Sequence, residues 1–404
     1  MLCDEPIDPK ETQGPSGPGE SCEHIADDTR RLRAFLGAIL CGVVCACGGG
    51  GGYSGSSGGG NNPPPPPTSA TLLYVPNEAA GTIDALTIDT KTGIPTPISG
   101  SPLPDGPMPQ GIAVDPQKRF LYATSPSGEV RGYLLDSSTG KLTAMSGSPF
   151  LTSAQSVAIA VDPSGQFALT ANGSSNTVSV FKIGSMGALA EVAGSPFAAG
   201  ADPSAIVVAA GHYVYAANKV GGSVSAYRMD TTSGSLTPVA GSPFPVGASP
   251  EALVVDPPGT HLYAADSQPS AVSGFTINVS TGALTAISGS PFPAPNGAWS
   301  VVTDGSGKLL HIANGTNVDC YTIDASSGAL TLIGTSVTNG RATALAVDGP
   351  DNFLYALDNV ANQVEVFSID ATSGSLKLIA GNPFPLFPGS SQQGLGPTSI
   401  TVAH

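Results

Sequence analysis

The sequence predicts an all-β fold, a seven-bladed β-propeller with four antiparallel strands in each blade, and three observations lead to this prediction. A Gly-Ser-Pro-Phe-like tag recurs with spacings of 47, 47, 47, 48, 45 and 47 residues. Each period holds four short β-like segments in one order, without helical periodicity. The segment missing from the first period reappears at the end of the chain. The tags begin at Gly100, Gly147, Gly194, Gly241, Gly289, Gly334 (degenerate, without proline) and Gly381.

The first segment of each period is nearly continuously apolar, which is typical of a strand covered on both faces. These segments are therefore predicted to be the innermost strands of the blades. They comprise residues 112–115, 159–162, 206–209, 253–256, 301–304, 345–348 and 400–403.

The other three segments of a period complete a blade. The second resembles Leu-Leu-Tyr-Val at 72–75, the third alternates apolar and polar residues as at 224–227, and the fourth is a short Leu-Thr strand. An Asp-x-x-Ser/Thr-Gly turn joins the last two, and its glycine supplies the positive φ of a tight hairpin. Four strands that close through hairpins are typical of a propeller blade. The tag that follows is interpreted as the crossover to the next inner strand.

The two ends of the domain are predicted to share one blade. The domain opens with a second strand at 72–75, and the C-terminal strand at 399–403 would complete this first blade and hide sheet edges. The predicted propeller spans residues 71–404.

The segment before the domain has the order of an export signal. Arg30, Arg31 and Arg33 precede an apolar run at 34–44, too short for a permanent membrane span, and small residues follow. Residues 30–46 are predicted to be a lipoprotein signal peptide, with Cys47 as the lipidated residue because Ala46 precedes it. An ordinary soluble export signal is the alternative. Residues 1–29 are interpreted as an extension from a start assigned too far upstream.

The remaining features place the domain at the cell envelope as an acidic module. Residues 47–70 are rich in Gly, Ser and Pro and are predicted to be a tether. A formal net charge of −15 disfavours binding to nucleic acid. Cys320 alone among six cysteines lies beyond Cys47, so no intrachain disulfide is expected. The membrane is expected to be a partner through the lipid anchor only, and the protein to be a monomer.

Several repeated motifs identify a family. The second segment reads Leu-Tyr-Val/Ala-x-Asn/Asp, the third Val-x-Val/Ala-Phe/Tyr-x-Ile/Met-Asp, and Ser/Thr-Gly-x-Leu-Thr follows. A proline then precedes an apolar strand that ends in Asp-Pro. This pattern resembles the seven-bladed lactonase family, which includes 6-phosphogluconolactonase-like propellers and a related muconate cycloisomerase. The resemblance covers residues 71–404 and implies a propeller and the hydrolysis of a sugar lactone.

The resemblance also implies where a site would lie, on the face where the inner strands start. A histidine is common there in the family, but this chain has none. The equivalent positions are Gln110, Val157, Ser204, Glu251, Trp299, Thr343, and Ser399 or Thr398. His24 and His404 lie outside the repeats, and His212, His261 and His311 fall elsewhere in the blades.

Four residues at this face deviate from the repeat and are the candidate site. Glu251 and Arg341 are the candidate catalytic residues, since a carboxylate can activate water and a cation can polarise a lactone carbonyl. Gln110 and Trp299 are the candidate ligand-binding residues. The alternative is that all four are unrelated residues at variable positions.

No cofactor or metal is predicted, because the turn aspartates supply one carboxylate each and are needed for their own turns. The residues favour a cell-envelope module that binds a small polar ligand or a protein at the channel face, the face of the propeller where the inner strands start. The alternative is a lactone hydrolase that uses the same face. The missing histidine and the expected export argue against cytosolic pentose-phosphate chemistry.

Overall fold

The computed structural model describes residues 70–152, 155–209, 212–295, 297–386 and 399–403. Their regular structure consists of β-strands and a short 3₁₀ turn at Gly173–Ser175. No helix in this part of the chain is long and apolar enough to cross a membrane. The predicted extension, signal peptide, Cys47 and nearly all of the tether lie outside the described residues, so these remain predictions.

The strands fall into layers that repeat from blade to blade. The inner strands are β33 (Thr401–Ala403), β5 (Ile112–Val114), β10 (Ser156–Val161), β15 (Pro203–Ala209), β20 (Ala248–Val255), β25 (Ser300–Thr303) and the C-terminal part of β28 (Leu330–Val347). The second strands are β1 (Thr71–Asn77), β6 (Phe120–Ser125), β11 (Phe167–Asn172), β16 (Tyr213–Asn218), β21 (His261–Gln268), β26 (Leu309–Ala313) and β29 (Phe353–Asp358).

The third and outer strands follow in the same blade order. The third strands are β2 (Thr82–Ile88), β7 (Glu129–Leu135), β12 (Thr177–Ile183), β17 (Ser223–Met229), β22 (Ser270–Ile277), β27 (Gly315–Ile323) and β30 (Gln363–Ile369). The outer strands are β3 (Pro95–Pro97), β8 (Leu142–Ala144), β13 (Leu189–Glu191), β18 (Leu236–Pro238), β23 (Leu284–Ala286), the N-terminal part of β28, and β31 (Leu376–Leu378). A second outer piece occurs as β4 (Leu103–Pro104), β9 (Phe150–Leu151), β14 (Phe197–Ala198), β19 (Phe244–Pro245), β24 (Phe292–Pro293) and β32 (Phe384–Pro385).

Seven four-layered blades result, all with antiparallel pairing, and the predicted fold class is confirmed. Five blades are separate sheets, and blades 6 and 7 share an eight-stranded sheet. The C-terminal strand completes blade 1, because β33 pairs with β1 with Tyr74 opposite Thr401. Blade 7 contacts blade 1 through a hydrogen bond of 3.2 Å from the Tyr355 hydroxyl to the Gly93 carbonyl.

The tyrosine of the second strand links neighbouring blades at five of the seven blades. In blade 4, for example, the buried Tyr215 hydroxyl donates to the Gly282 carbonyl of the hairpin turn in blade 5. Tyr74, Tyr122, Tyr263 and Tyr355 make the same bond. The repeated tyrosine is thus explained by blade packing, since a buried hydroxyl needs a hydrogen-bond partner.

The tags are not the crossovers between blades that the sequence predicted. Each proline-containing tag lies within the outer strand, and the short piece after it returns to pair with the third strand, as β19 does with β17. The tag serine takes the place of a strand carbonyl: the Ala226 amide donates to Ser242 Oγ at 2.8 Å. The Ser242–Pro243 peptide is cis, as in the other proline-containing tags. The expectation was wrong because the tag replaces one hydrogen bond of the outer strand without ending its pairing.

Blade 6 is the exception, at the degenerate tag. Gly334 lies within β28, whose 18 residues run as one strand from the outer layer of blade 6 into the inner layer of blade 7. This strand pairs first with β27 and then with β29. Without the tag proline, the backbone amides stay available and the strand continues.

Candidate active site

The candidate residues lie where the inner strands start and the second strands end. In four blades the inner strand carries a β-bulge at the position equivalent to Glu251. The register shifts around Val157, Ser204, Glu251 and Thr343. Because a bulge leaves one residue unpaired and re-aims its side chain, these positions are suited to carry function without disturbing the sheet.

Glu251 occupies the bulge of β20 and is almost fully buried, with 3% of its surface exposed. Its Oε1 accepts a hydrogen bond of 2.8 Å from Ser267 Oγ. Its Oε2 lies 3.5 Å from Lys219 Nζ, an ion pair beyond hydrogen-bond geometry. Burial raises the pKa of Glu251, and both Lys219 and Ser267 oppose this rise. The result is a buried carboxyl group whose pKa lies above its ordinary value.

Lys219 was not found by the sequence reasoning. It directly follows β16, in the turn between the second and third strands of blade 4, and its amide donates to the Asp202 carbonyl. The residues at the same place in the other blades are Glu78, Pro126, Gly173, Ser267, Asn314 or Gly315, and Asn359. A comparison of these turns across the repeat would have singled out Glu78 and Lys219 as charged.

Gln110 lies beside Glu78, the second residue that sequence reasoning missed. Gln110 Nε2 donates to Glu78 Oε1 at 3.2 Å, and both side chains are buried. Burial raises the pKa of Glu78 to about 7, and the bond from Gln110 lowers it less. Glu78 Oε2 accepts no hydrogen bond from the described residues. A buried carboxyl group with a pKa of about 7 therefore lies at the edge of the sheet where the inner strands start.

Trp299 and Arg341 lie in contact with each other. The guanidinium carbon of Arg341 lies 5.1 Å from the centre of the Trp299 ring, within the range of a cation–π contact. Trp299 precedes β25, and Arg341 lies in β28 where the strand enters blade 7. Gly340 lets β28 approach Asp358 closely, since an added Cβ would collide with that carboxylate. Both side chains are half-buried and thus partly open to a ligand.

The four predicted residues therefore form three groups: Glu251 with Lys219 and Ser267, Trp299 with Arg341, and Gln110 with Glu78. Glu251, Trp299 and Arg341 belong to consecutive blades, 5, 6 and 7, and their inner strands β20, β25 and β28 pack in that order. Gln110 belongs to blade 2. A role for each in binding or catalysis remains a prediction.

His261 and His311 have structural environments away from these groups. His261 starts β21 and its Nδ1 lies 2.8 Å from Asp256 Oδ2. His311 is fully buried and its Nδ1 lies 3.1 Å from Cys320 Sγ. Burial lowers the pKa of His311 to about 4 and raises that of the Cys320 thiol to about 12. In the described part of the chain, no three His, Cys, Asp or Glu side chains are arranged to hold a metal ion.

Comparison with known proteins decides the family. The model of the family described as lactonase, seven-bladed β-propeller, matches residues 71–196, 192–302 and 289–385. The chain belongs to this lactonase family. No curated protein matches this lactonase-family propeller at a significant level.

Solved structures share the fold of this lactonase-family propeller at low identity. A candidate 6-phosphogluconolactonase from Bacteroides uniformis is 18% identical, with a TM-score of 0.72 over 83% of this chain and 100% of that chain. A periplasmic gluconolactonase from Pseudomonas aeruginosa is 20% identical, with a TM-score of 0.68 over 79% of this chain and 98% of that chain. At such identities the likeness establishes the fold alone.

Proposed function

We propose that this protein hydrolyses a cyclic ester of the sugar-lactone class, with Glu251 as the general base. The observation that carries the proposal is the buried Glu251 carboxylate at the β20 bulge, 3.5 Å from Lys219 Nζ. Its raised pKa brings the carboxylate toward the range in which a base is both deprotonated and able to accept a proton. Membership of the lactonase family supports the choice of ester.

The proposed reaction uses water as the nucleophile. The water oxygen attacks the lactone carbonyl carbon while Glu251 accepts the water proton. The negative charge that develops on the carbonyl oxygen is stabilised by the Lys219 ammonium group. When the ring C–O bond breaks, the leaving alkoxide takes the proton back from Glu251, and the product is a hydroxy acid. Glu251 is then ready for the next cycle.

Trp299 and Arg341 are suited to holding the substrate. A sugar ring presents C–H groups that stack on an indole face, and a guanidinium binds carboxylate or phosphate groups with directed hydrogen bonds. Arg341 lies over Trp299 at 5.1 Å, so one ligand can contact both. In this proposal Arg341, a candidate catalytic residue from the sequence, binds and orients the substrate.

The test is hydrolysis of a panel of sugar lactones by the purified protein, measured as acid release. We expect Glu251→Gln to lower kcat/KM by about 10²- to 10⁴-fold, the usual contribution of a general base. The matched control is Val157→Ala, which changes the bulge residue of blade 3 and should keep kcat/KM within about twofold. Equal rates in the wild type and Glu251→Gln would remove Glu251 from the mechanism.

A second candidate function is the binding of a small polar ligand without turnover, which the sequence favoured. The half-buried pair of Trp299 and Arg341 supports it, because such a pair binds an anionic ring without any base. Trp299 is the only tryptophan of the chain, so its fluorescence reports ligand binding directly. Saturable fluorescence changes with every lactone tested, together with no acid release, would favour binding over hydrolysis.

We also propose that the protein is exported and anchored to the cell envelope through lipid on Cys47. The arginines at 30–33, the short apolar run and the small residue before Cys47 support this. Mass spectrometry of the protein purified from membranes should show an acylated N-terminal Cys47, and Cys47→Ser should release the protein from the membrane fraction. Retention of Cys47→Ser, or release by Cys45→Ser alone, would contradict this assignment.

A further inference from the structure

The outer edge of blade 6 differs from the other six outer edges. Its edge strand, defined as residues 330–337 of β28, pairs with β27 on one side, and no described strand pairs with its other side. An open strand edge presents unpaired N–H and C=O groups that can pair with another chain. The edge strand therefore offers outward-pointing backbone groups from alternate residues along its length of eight residues.

The other six blades interrupt this edge. Each has an outer strand of three residues, a tag that contains proline, and a second piece of two residues. Several of these outer strands also carry a proline or a charge, which blunts an edge further. Such residues are Pro95, Pro97, Glu191, Pro238 and Lys377. Blade 6 lacks the tag proline, so the repeated protection against edge pairing is missing at this one place.

The side chains of the edge strand are apolar or neutral, and three large apolar ones are exposed. Leu332, Ile333 and Val337 are exposed by 50%, 39% and 69%. A one-residue bulge at Ile333 places Leu332 opposite Tyr321 and Val337 opposite Asn317. Since Tyr321 and Asn317 are four residues apart on one strand, Leu332 and Val337 face the same side of the sheet. The edge thus presents an apolar surface beside its open backbone groups.

We propose that the edge strand pairs in antiparallel orientation with the same strand of a second copy of this chain. A two-fold axis near Gly334 and Thr335 would bring Leu332 of each copy to Val337 of the other, on one face of the joint sheet. This replaces the monomer expected from the sequence.

Local charge does not oppose a second copy at this edge, whose apolar surface can pair with itself about a two-fold axis. The chain has a net charge of −15, which makes two copies repel each other, but residues 330–340 carry no charged side chain. The tether at 47–70 is a poor occupant because its five consecutive prolines at 63–67 lack the amides that strand pairing needs. A pair of eight-residue strands is a small interface, so the dimer should form at high concentration and dissociate on dilution.

Sedimentation velocity of the purified protein over a wide concentration range tests the proposal. We expect the wild type to shift from monomer to dimer as its concentration rises. The double variant L332K/V337K should remain monomeric at every concentration, because it places charges on the open edge. Met186→Lys, which changes an exposed apolar residue of blade 3, should dimerise like the wild type. Circular dichroism melting confirms that each variant is folded.

Hydrogen exchange of the wild type gives a second measurement that needs no variant. Edge-strand amides should exchange at least about tenfold more slowly at dimer-forming concentration than on dilution, while β9 amides keep one rate. A wild type that is monomeric at all concentrations overturns the proposal, whatever other chain the edge binds. A folded L332K/V337K that dimerises like the wild type, or edge amides without concentration dependence, also overturns it.

Discussion

Blades 4 and 5 have the same inner-strand bulge but fill it differently. In blade 4 the bulge residue is Ser204, whose hydroxyl donates to the Pro250 carbonyl of the next blade at 2.9 Å. In blade 5 it is Glu251, a buried carboxylate that needs Lys219 and Ser267 around it. The backbone has the same bulge in both blades. Ser204 joins two blades through its hydrogen bond, whereas Glu251 introduces a carboxylate that the fold does not require. The repeat therefore supplies a scaffold, and the deviating side chains supply the chemistry.

The largest effect on stability should come from replacing the tyrosine of the second strand, which recurs in five blades. Tyr215 is fully buried and donates to the Gly282 carbonyl between blades 4 and 5. Tyr215→Ala should lower the free energy of unfolding by about 3 to 5 kcal/mol, as for other large buried rings. Tyr215→Phe, which loses only the hydrogen bond, should cost about 1 kcal/mol. Urea unfolding checks both, and equal losses would show that the ring contributes nothing beyond its hydroxyl.

A smaller effect, this time an increase in stability, should come from replacing Glu78, a charged residue in a turn where most blades have an uncharged one. Burial raises the folded-state pKa of Glu78 from 4.5 to about 7, so between these values the folded chain holds a proton that the unfolded chain has lost. The stability provided by this proton declines as pH rises through that window. Glu78→Gln should therefore stabilise the protein at pH 8, by about 3 kcal/mol at most, and change little at pH 4.5.

Urea unfolding of Glu78→Gln at several pH values measures this difference. Glu191→Gln, which changes an exposed carboxylate of β13, is the control and should leave the pH dependence unchanged. A Glu78→Gln protein that is destabilised more at pH 8 than at pH 4.5 would show that the carboxylate is stabilised in its charged form.

The smallest effect on stability should come from removing the serine hydroxyl of one tag. Ser242→Ala removes the acceptor for the Ala226 amide and should cost about 1 to 2 kcal/mol, because the amide is left without its partner. Thr237→Ala, at an exposed position of the same outer strand, should change stability by less than about 0.5 kcal/mol. Thermal or urea unfolding compares the two. Equal effects would mean that the tag serine is only a surface residue.

The sequence predicted the blades because their spacing, apolar inner segments and hairpin turns follow local rules that repeat seven times. For the same reason it predicted that Glu251 and Trp299 lie near the starts of β20 and β25, whereas Arg341 lies inside the continuous β28, where that strand enters blade 7. Lys219 and Glu78 were missed because they lie in turns 32 residues along the chain from Glu251 and Gln110, and only the fold brings each pair together. The tag was misinterpreted because the replacement of a strand carbonyl by Ser242 Oγ depends on three-dimensional register. The degenerate Gly334 tag was noticed, but its consequence, the continuous β28, required the backbone.

The pH dependence of lactone hydrolysis in the wild type and Lys219→Met tests most directly the claim that Glu251 and Lys219 act together. A general base must be deprotonated, so kcat/KM should fall as pH falls through the pKa of Glu251. Because Lys219 lowers that pKa, Lys219→Met should move this decline to higher pH, and should lower the plateau rate. A decline that stays in place or moves to lower pH would contradict the account.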